Sequence, residues 1–298
     1  MEVKSGRYKM KIENYSFDDI DFNIVRDDLF PAYYGGNKAR KMTYLESYLL
    51  KEKYDAIVTT GGIQSNHCRV VALFAAKHQF KCTLILHGSE EDFYSQKGNA
   101  LLMRMSGCEI QFVNPTSISE TMDKAMVSHI NAGNKPYYYY GGGHNYFGVM
   151  SYKEALVDLA TKIDEPDHIF LASGTGSTQA GIILGLKEVG WNEAIVHGIS
   201  VARSKTRGIQ GVLEAARFVN PSFEDEIIFH DQYVMGGYGA HSEVLPGFIE
   251  KIAQNTGLIL DTTYTGKAMY GMLDYIKKYN IKGRIVFWNT GGLPSCLS

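Results

Sequence analysis

The chain has 298 residues, of which 45% are hydrophobic and 21% are charged, and its 30 basic residues nearly balance 32 acidic ones. This balance argues against nucleic acid or an anionic membrane as the main partner, and the length allows one large α/β domain or two smaller ones. No stretch approaches the roughly 20 apolar residues of a membrane helix, and the polar N-terminus does not resemble a signal sequence. Four cysteines without CxxC or metal-ligand spacing predict free thiols, and together these features predict a cytosolic protein.

Short β-rich runs alternate with longer segments of helical period, which is typical of a parallel sheet with crossover helices. The predicted strands are Phe22–Arg26, Ala56–Thr59, Cys82–Leu86, Glu109–Val113, Tyr137–Tyr140, His168–Ala172, Ile195–Ser200, Glu226–His230 and Arg284–Trp288. The run of four tyrosines is interpreted as a buried strand rather than as a binding feature. Three Gly-rich turns lead from strands or loops into helices, where open α/β sheets bind their ligands.

The first of these turns, GGNKARK at residues 35–41, enters a helix that is predicted to run to about Lys53. Lys38, Arg40 and Lys41 stand in its first turn, where cations oppose the helix macrodipole and cost local stability. Two explanations stay open at this point. The three side chains form a surface cluster, or one lysine is neutralised by a carbonyl compound while another meets an anion.

The second turn, TTGGIQSNH at residues 59–67, places Ser65 where it can cap the following helix. No GxSxG elbow surrounds this serine, so the sequence does not predict a hydrolase nucleophile. His67 and Cys68 adjoin each other, which is poor spacing for metal ligands.

The third turn, SGTGSTQAG at residues 173–181, also joins a strand to a helix. Its small residues allow backbone N–H groups to approach an anion, and the helix dipole and the hydroxyls of Ser177 and Thr178 add to the attraction. It matches neither the dinucleotide fingerprint nor the Walker sequence. The turn therefore predicts a phosphate cradle, with a purely structural tight turn as the alternative.

Six motifs in this order resemble one family: GGNKARK, TGGIQSNHCR, SGTGSTQAG, GGYG, LDTTYTGKAMYGM and NTGGLP. They are similar to those of the aminocyclopropane-carboxylate deaminase/D-cysteine desulfhydrase family, within the tryptophan-synthase-β-like (fold type II) pyridoxal 5'-phosphate (PLP) enzymes. The resemblance runs from about Phe22 to Pro294. It implies an α/β fold with two three-layer αβα domains and parallel sheets. Residues 41–148 would form a small domain, and residues 1–40 plus 149–298 a large PLP-binding domain, in a homodimer with the active site between the domains.

The resemblance also assigns roles, residue by residue. Lys38 resembles the lysine that carries PLP as a Schiff base and, once released, acts as general base. The remaining implied catalytic residues are Ser65, Tyr238 and Tyr264. The implied cofactor contacts are Asn66, Gly174, Thr175, Gly176, Ser177, Thr178 and Thr290, and the implied substrate contacts are Ser65, Asn66 and His67.

The residue after Tyr264 separates the two best-known activities of the family. The cyclopropane deaminase carries Glu there, whereas Thr265 resembles the desulfhydrase pattern. The preferred function is therefore α,β-elimination of D-cysteine to pyruvate, sulfide and ammonia. The alternatives are aminocyclopropane-carboxylate deamination, elimination or β-replacement on another amino acid, and a PLP-binding sensor or carrier without catalysis.

Several departures from the family pattern fall near the expected substrate side. The segment before Phe22 is short, Thr262 replaces a proline, and Ala240, His241 and Ser242 follow the GGYG motif. His144 stands where a small hydroxyl residue is usual. The two histidines either line the substrate pocket or lie in exposed loops.

Overall fold

Two β-sheets organise the computed structural model, which describes residues 9–297. The larger sheet has the spatial order β1 (Ile12–Phe17), β2 (Ile20–Arg26), β10 (Ile285–Asn289), β7 (His168–Ser173), β8 (Ile195–Ser200) and β9 (Ile228–His230). The smaller sheet has the order β5 (Glu109–Phe112), β4 (Lys81–His87), β3 (Ala56–Gly62) and β6 (Pro136–Tyr139). Every neighbouring pair runs parallel except β1 and β2.

Helices connect the parallel strands. They are α1 (Asn37–Lys51), α2 (Asn66–His78), α3 (Glu90–Ser95), α4 (Gly98–Met105), α5 (Ile118–Asn131), α6 (Tyr146–Ala160), α7 (Ser177–Val189), α8 (Lys205–Arg217), α9 (Val244–Thr256) and α10 (Thr265–Tyr279). Within residues 9–297, none of these helices is long and apolar enough to cross a membrane. All four cysteines are free thiols.

All nine predicted strands coincide with observed ones, but the sequence reading missed β1. This strand pairs antiparallel with β2, so the expectation of purely parallel sheets is wrong at this edge. Its sequence IENYSF is mostly polar and has no continuous apolar run to reveal it. Asp18 and Asp19 form the two-residue connection, and both have positive φ (52° and 61°), as a type I′ hairpin turn requires.

Strands of the larger sheet bury side chains on both faces. In β10, Ile285 and Phe287 pack on one side with residues of α9 and α10. Val286 and Trp288 pack on the other side with residues of α6 and α7. Because side chains alternate along a strand, two covered faces require a nearly continuous apolar run, which is why these strands were visible in the sequence.

The smaller sheet is covered in the same way. Ile57 and Leu84 pack with residues of α1, α2 and α4, while Val58 and Ile85 pack with residues of α5. The three-layer αβα architecture is thus confirmed for both sheets. The exact domain boundaries, after residue 40 and after residue 148, stay a prediction. The tyrosine run is only partly buried, since Tyr139 is 1% exposed and Tyr140, outside the strand, is 59% exposed.

A buried carboxylate joins β2, α1, α6 and β10. Asp27 is fully buried and accepts hydrogen bonds from the guanidinium of Arg40, the hydroxyl of Tyr152 and the indole N–H of Trp288. Its backbone carbonyl accepts a hydrogen bond from the N–H of Gly36 at 2.8 Å. These bonds hold the segment that enters α1 against the sheet.

Replacing Asp27 tests this arrangement. In Asp27→Asn the guanidinium of Arg40 stays mostly buried and loses the negative charge of Asp27, so we expect a loss of about 3–5 kcal/mol in the free energy of unfolding. Urea unfolding followed by circular dichroism measures it. Asp18→Asn is the matched control, because Asp18 pairs with Lys277 on the surface at 2.8 Å and should cost below about 1 kcal/mol. Equal effects of the two substitutions would contradict the central role of Asp27.

Candidate active site

One cavity of about 530 Å³ lies where strand ends from both sheets face each other. The carboxyl ends of β3, β4 and β7 and the loops after β8 and β10 contribute to its wall, as open parallel sheets favour. Of the residues implied as functional, it brings together Lys38, Ser65, Asn66, His67, Gly174, Thr175, Gly176, Thr178, Tyr238, Tyr264 and Thr290.

Lys38 enters the cavity from the first turn of α1. Its Nζ donates a hydrogen bond to the carbonyl oxygen of Gly142 at 3.0 Å. Burial lowers the pKa of its ammonium group to about 8. The backbone before it is tightly fixed, since a Cβ on Gly35 (φ +75°) would lie 2.1 Å from the carbonyl oxygen of Asp28. Lys38 is therefore a preplaced amine that is readily neutral.

Lys41 lies one helical turn further along and is 1% exposed. Its Nζ donates to the hydroxyl of Ser177 at 2.8 Å, and no carboxylate among residues 9–297 forms an ion pair with it. Burial and the charge of Lys38 lower its pKa well below the ordinary value. With Arg40 bound to Asp27, the hypothesis of a surface cluster is wrong. A buried lysine without a counter-charge, beside the N-terminus of α7, favours the hypothesis that an anion binds here.

The predicted phosphate cradle lies beside Lys41, at the N-terminus of α7. Gly174, Thr175, Gly176 and Thr178 line the cavity, and the first backbone N–H groups of α7 point toward its end. Ser177 departs from the expectation, because its side chain does not line the cavity. Its hydroxyl donates to the carbonyl oxygen of Gly143 at 3.2 Å and accepts from Lys41. Ser177 thus holds the lysine rather than offering its own hydroxyl.

Ser65 and Asn66 begin α2 on the opposite wall. The hydroxyl of Ser65 caps the helix by accepting the N–H of Cys68 at 3.2 Å, which confirms the predicted cap. The side-chain oxygen of Asn66 accepts from the amide of Asn99 at 3.0 Å. That bond leaves the NH₂ group of Asn66 as the part of the side chain available to a ligand.

The tautomer of His67 follows from its neighbour. The hydroxyl of Thr59 donates its single hydrogen to the carbonyl oxygen of Tyr139 at 2.6 Å, and so it can only accept from His67 Nε2 at 2.8 Å. His67 therefore carries its proton on Nε2. Burial and the charges of Lys38 and Lys41 lower its pKa well below the ordinary value, which keeps the ring neutral and leaves Nδ1 as an acceptor.

Tyr238 and Tyr264 face each other across the cavity. The hydroxyl of Tyr264 donates to that of Tyr238 at 2.9 Å, and burial raises the pKa of both phenols. The loop before Tyr238 is held by Lys267, which is fully buried. Its Nζ donates to the carbonyl oxygens of Gly237 at 2.7 Å, Val234 at 2.8 Å and Val201 at 3.2 Å.

Tyr264 is held by a buried carboxylate. Asp261 accepts the backbone N–H groups of Thr263, Tyr264 and Thr265 and the hydroxyl of Thr265. Burial raises the pKa of Asp261, while these hydrogen bonds act in the opposite direction. Thr265 is 1% exposed and does not line the cavity. The residue that separates the two activities in the sequence comparison is thus bound to Asp261 outside the cavity here.

Neither of the two unusual histidines lines the cavity. His144 packs its ring against Phe218, with 5.4 Å between the ring centroids, and burial lowers its pKa to about 4. His241 lies in an exposed loop. The hypothesis that they line the substrate pocket is therefore wrong for this structure. The sequence reading missed Asp261, Lys267 and the cavity residue His87, none of which stands in a Gly-rich turn.

The cavity residues fit PLP. A neutral amine at Lys38 can bind an aldehyde, and the α7 N-terminus can hold a phosphate, with Lys41 behind it through Ser177. Two buried hydroxyls in the wall, Thr60 Oγ1 and Ser173 Oγ, have no hydrogen-bond partner among the described residues. Such orphaned groups call for a ligand.

Comparison with known proteins agrees with this donor set. Residues 18–291 match the model of the pyridoxal-phosphate dependent enzyme family. The chain is 33% identical to D-cysteine desulfhydrase of Klebsiella pneumoniae over 285 residues, 91% of this chain and 87% of the relative.

Two solved structures share the fold. An aminocyclopropane-carboxylate deaminase homologue is 31% identical with a TM-score of 0.86, covering 98% of this chain and 91% of that one. A hydrogen sulfide-producing enzyme from Fusobacterium nucleatum has a TM-score of 0.70 at 14% identity, covering 96% of both chains, and shows the fold alone. The chain therefore belongs to the pyridoxal-phosphate dependent enzyme family, in the branch that contains D-cysteine desulfhydrase and the aminocyclopropane-carboxylate deaminase homologue.

Proposed function

We propose that this enzyme catalyses the α,β-elimination of D-cysteine to pyruvate, sulfide and ammonia. The observation that carries the proposal is the placement of Lys38, an amine with a pKa of about 8, in one cavity with the Tyr238–Tyr264 pair and the N-terminus of α2. The 33% identity to a D-cysteine desulfhydrase supports the choice of substrate.

When bound, PLP supplies an electron sink that acidifies the Cα–H bond of an amino acid. The protein must then remove that proton. Lys38 is suited to this task because burial keeps its amine close to neutrality, and a base is most effective when its pKa lies near the working pH. Its position on the first turn of a rigid helix fixes the amine toward the cavity.

The N-terminus of α2 is suited to hold the substrate carboxylate. Ser65, Asn66 and His67 all line the cavity, and a helix N-terminus attracts an anion. Neutral His67 adds no charge of its own there. Binding the carboxylate at this end and the phosphate at α7 would orient the substrate between the two sheets.

Two further assignments concern the ring nitrogen and the phenols. Thr290 is proposed to lie beside the pyridine nitrogen, where a hydroxyl stabilises a protonated ring less than a carboxylate does, which favours elimination over transamination. Tyr238 and Tyr264 are proposed to face the substrate. Their shared hydrogen bond gives them one fixed orientation.

Aminocyclopropane-carboxylate deamination is the second candidate, favoured by the 31% identical homologue of TM-score 0.86. Thr265 argues against it, because this position offers no carboxylate and its hydroxyl is bound to Asp261. We further propose that the enzyme is a cytoplasmic homodimer, as the family resemblance implies. Size-exclusion chromatography with light scattering tests the dimer.

The Lys38→Ala variant tests the catalytic assignment. Purified enzyme with PLP is mixed with D-cysteine, L-cysteine, D-serine and aminocyclopropane carboxylate, and pyruvate is measured. We expect D-cysteine to be the preferred substrate of the wild type. We expect Lys38→Ala to lose at least about 10²-fold in kcat, because the general base is gone, and to lose the visible absorption band of lysine-bound PLP.

Lys124→Ala is the control, since Lys124 lies on the exposed side of α5 and pairs only with Glu120 among the described residues. A Lys38→Ala enzyme as active as the wild type would refute the assignment. Faster pyruvate release from another compound would make that compound the proposed substrate in place of D-cysteine. Cofactor binding without turnover of any compound would favour a PLP-binding sensor or carrier.

The pKa of Lys38 predicts how cofactor attachment depends on pH. The apoenzyme binds PLP covalently only through the neutral amine, and that form increases as pH rises through the pKa. We expect the rate of attachment to reach half of its maximum near pH 8, well below the roughly 10.4 of an ordinary lysine. Stopped-flow absorbance from pH 6.5 to 10.5 measures it, with circular dichroism to check folding. A midpoint near 10 would contradict the lowered pKa.

A further inference from the structure

His87 stands at the edge of the cavity without an assigned role. It is the last residue of β4 and lies beside Gly62 of β3 in the parallel register. Strand ends at this edge of the small sheet face the cleft, and His87 lines the same cavity as Lys38, Ser65 and the two tyrosines. Its backbone position is therefore set by the sheet rather than by a mobile loop.

The space next to His87 is kept open by glycine. A Cβ on Gly62 would meet Cε1 of His87 at 3.3 Å, Cε1 of Tyr238 at 3.5 Å and Nε2 of His87 at 3.8 Å. The imidazole and the phenol thus border one small space directly above the β3 end. That space lies next to Ser65, which begins the proposed carboxylate site. Both side chains also line the cavity in which the substrate is proposed to bind.

The ring nitrogens of His87 are not engaged by a hydrogen bond within residues 9–297. Among the nine histidines, all of which lie within the described residues, most have their ring nitrogens engaged: His67 with Thr59, His129 with Thr83, and His168, His197 and His230 with one another. No side-chain hydrogen bond joins the ring of His87 to any residue between 9 and 297. His144, also without a hydrogen bond there, lies outside the cavity.

The tyrosines are poorly suited to protonate a leaving group. Burial raises the pKa of both phenols, which makes them weaker proton donors, and Tyr264 already donates its proton to Tyr238. Imidazole is the side chain that ordinarily exchanges protons near neutral pH. Breaking the Cβ–S bond of a β-thiol releases hydrosulfide, and one proton converts it to hydrogen sulfide.

We propose that His87 is a catalytic residue that donates a proton to the leaving group on Cβ of the substrate. This inference rests on the proposed elimination. Lys38 takes the Cα proton, the Cβ–S bond breaks with its electron pair moving to sulfur, and the imidazolium proton of His87 moves to that sulfur. The sulfur leaves as hydrogen sulfide, and His87 regains its proton from water. The site accordingly selects amino acids whose leaving group must be protonated.

The test compares two leaving groups in His87→Asn. Departure of hydrosulfide is helped by a proton donor, whereas chloride leaves without one. We expect kcat for D-cysteine to fall by about 10²-fold or more. We expect kcat for β-chloro-D-alanine to change by less than about threefold, a change no larger than the loss of one positioning contact would cause. His241→Asn, which removes an exposed histidine outside the cavity, should change neither.

A binding measurement separates chemistry from misfolding. D-alanine has no leaving group, and its dissociation constant is measured by titration of the visible cofactor band. We expect this constant to agree within about threefold between wild type and His87→Asn, since RT ln 3 is below the roughly 1 kcal/mol of one hydrogen bond. Equal losses on both reactive substrates, an unchanged rate with D-cysteine, or a lost D-alanine complex would overturn the role of His87. A wild type that releases no sulfide from D-cysteine would instead refute the proposed function and this inference with it.

Discussion

The buried carboxylate of Asp27 is the interaction on which the active site depends. It neutralises Arg40 in the first turn of α1, and it ties that turn to α6 through Tyr152 and to β10 through Trp288. A helix that starts with three cations is unfavourable by itself. With Arg40 paired, the turn can present Lys38 to the cavity and hold Lys41 against Ser177 behind the cradle.

Burial of two lysines without a paired carboxylate among residues 9–297 determines the protonation chemistry at the cavity. Lys38 and Lys41 are desolvated next to each other, and both pKa values fall as a result. On the other side, Asp261 is buried among backbone N–H donors instead of cations, which fixes the start of α10 and Tyr264 without placing a charge in the cavity. The side at the N-terminus of α7 thus suits an anionic cofactor. The side at the start of α10 carries no charge in the cavity and suits a small amino acid.

Both sheets contribute residues to the cavity wall. The cradle at α7 follows β7 of the larger sheet, whereas Lys38 begins α1, which packs on the smaller sheet. The small sheet contributes the ends of β3 and β4, and the loop before α9 contributes Tyr238. His87 comes from this second group. Variation among substrates is expected there, because strand ends and loops can change side chains without disturbing the core.

The sequence by itself determined the fold class, nine of the ten described strands, the Gly-rich turns and eleven of the twelve cavity residues that the family motifs imply. The strands and turns are signals of local pattern, namely apolar runs for strands covered on both faces and glycine where a turn needs a positive φ or close approach. The cavity residues follow from the family resemblance instead. The edge strand β1 escaped because a polar strand has no such run. Only the tertiary structure turned the hydroxyl of Ser177 toward Lys41, hid Thr265 behind Asp261, excluded His144 and His241 from the cavity and placed His87 beside Tyr238. Those facts depend on contacts between residues far apart in the chain, such as His87 and Tyr238, and side-chain direction across such distances is decided by packing rather than by local sequence.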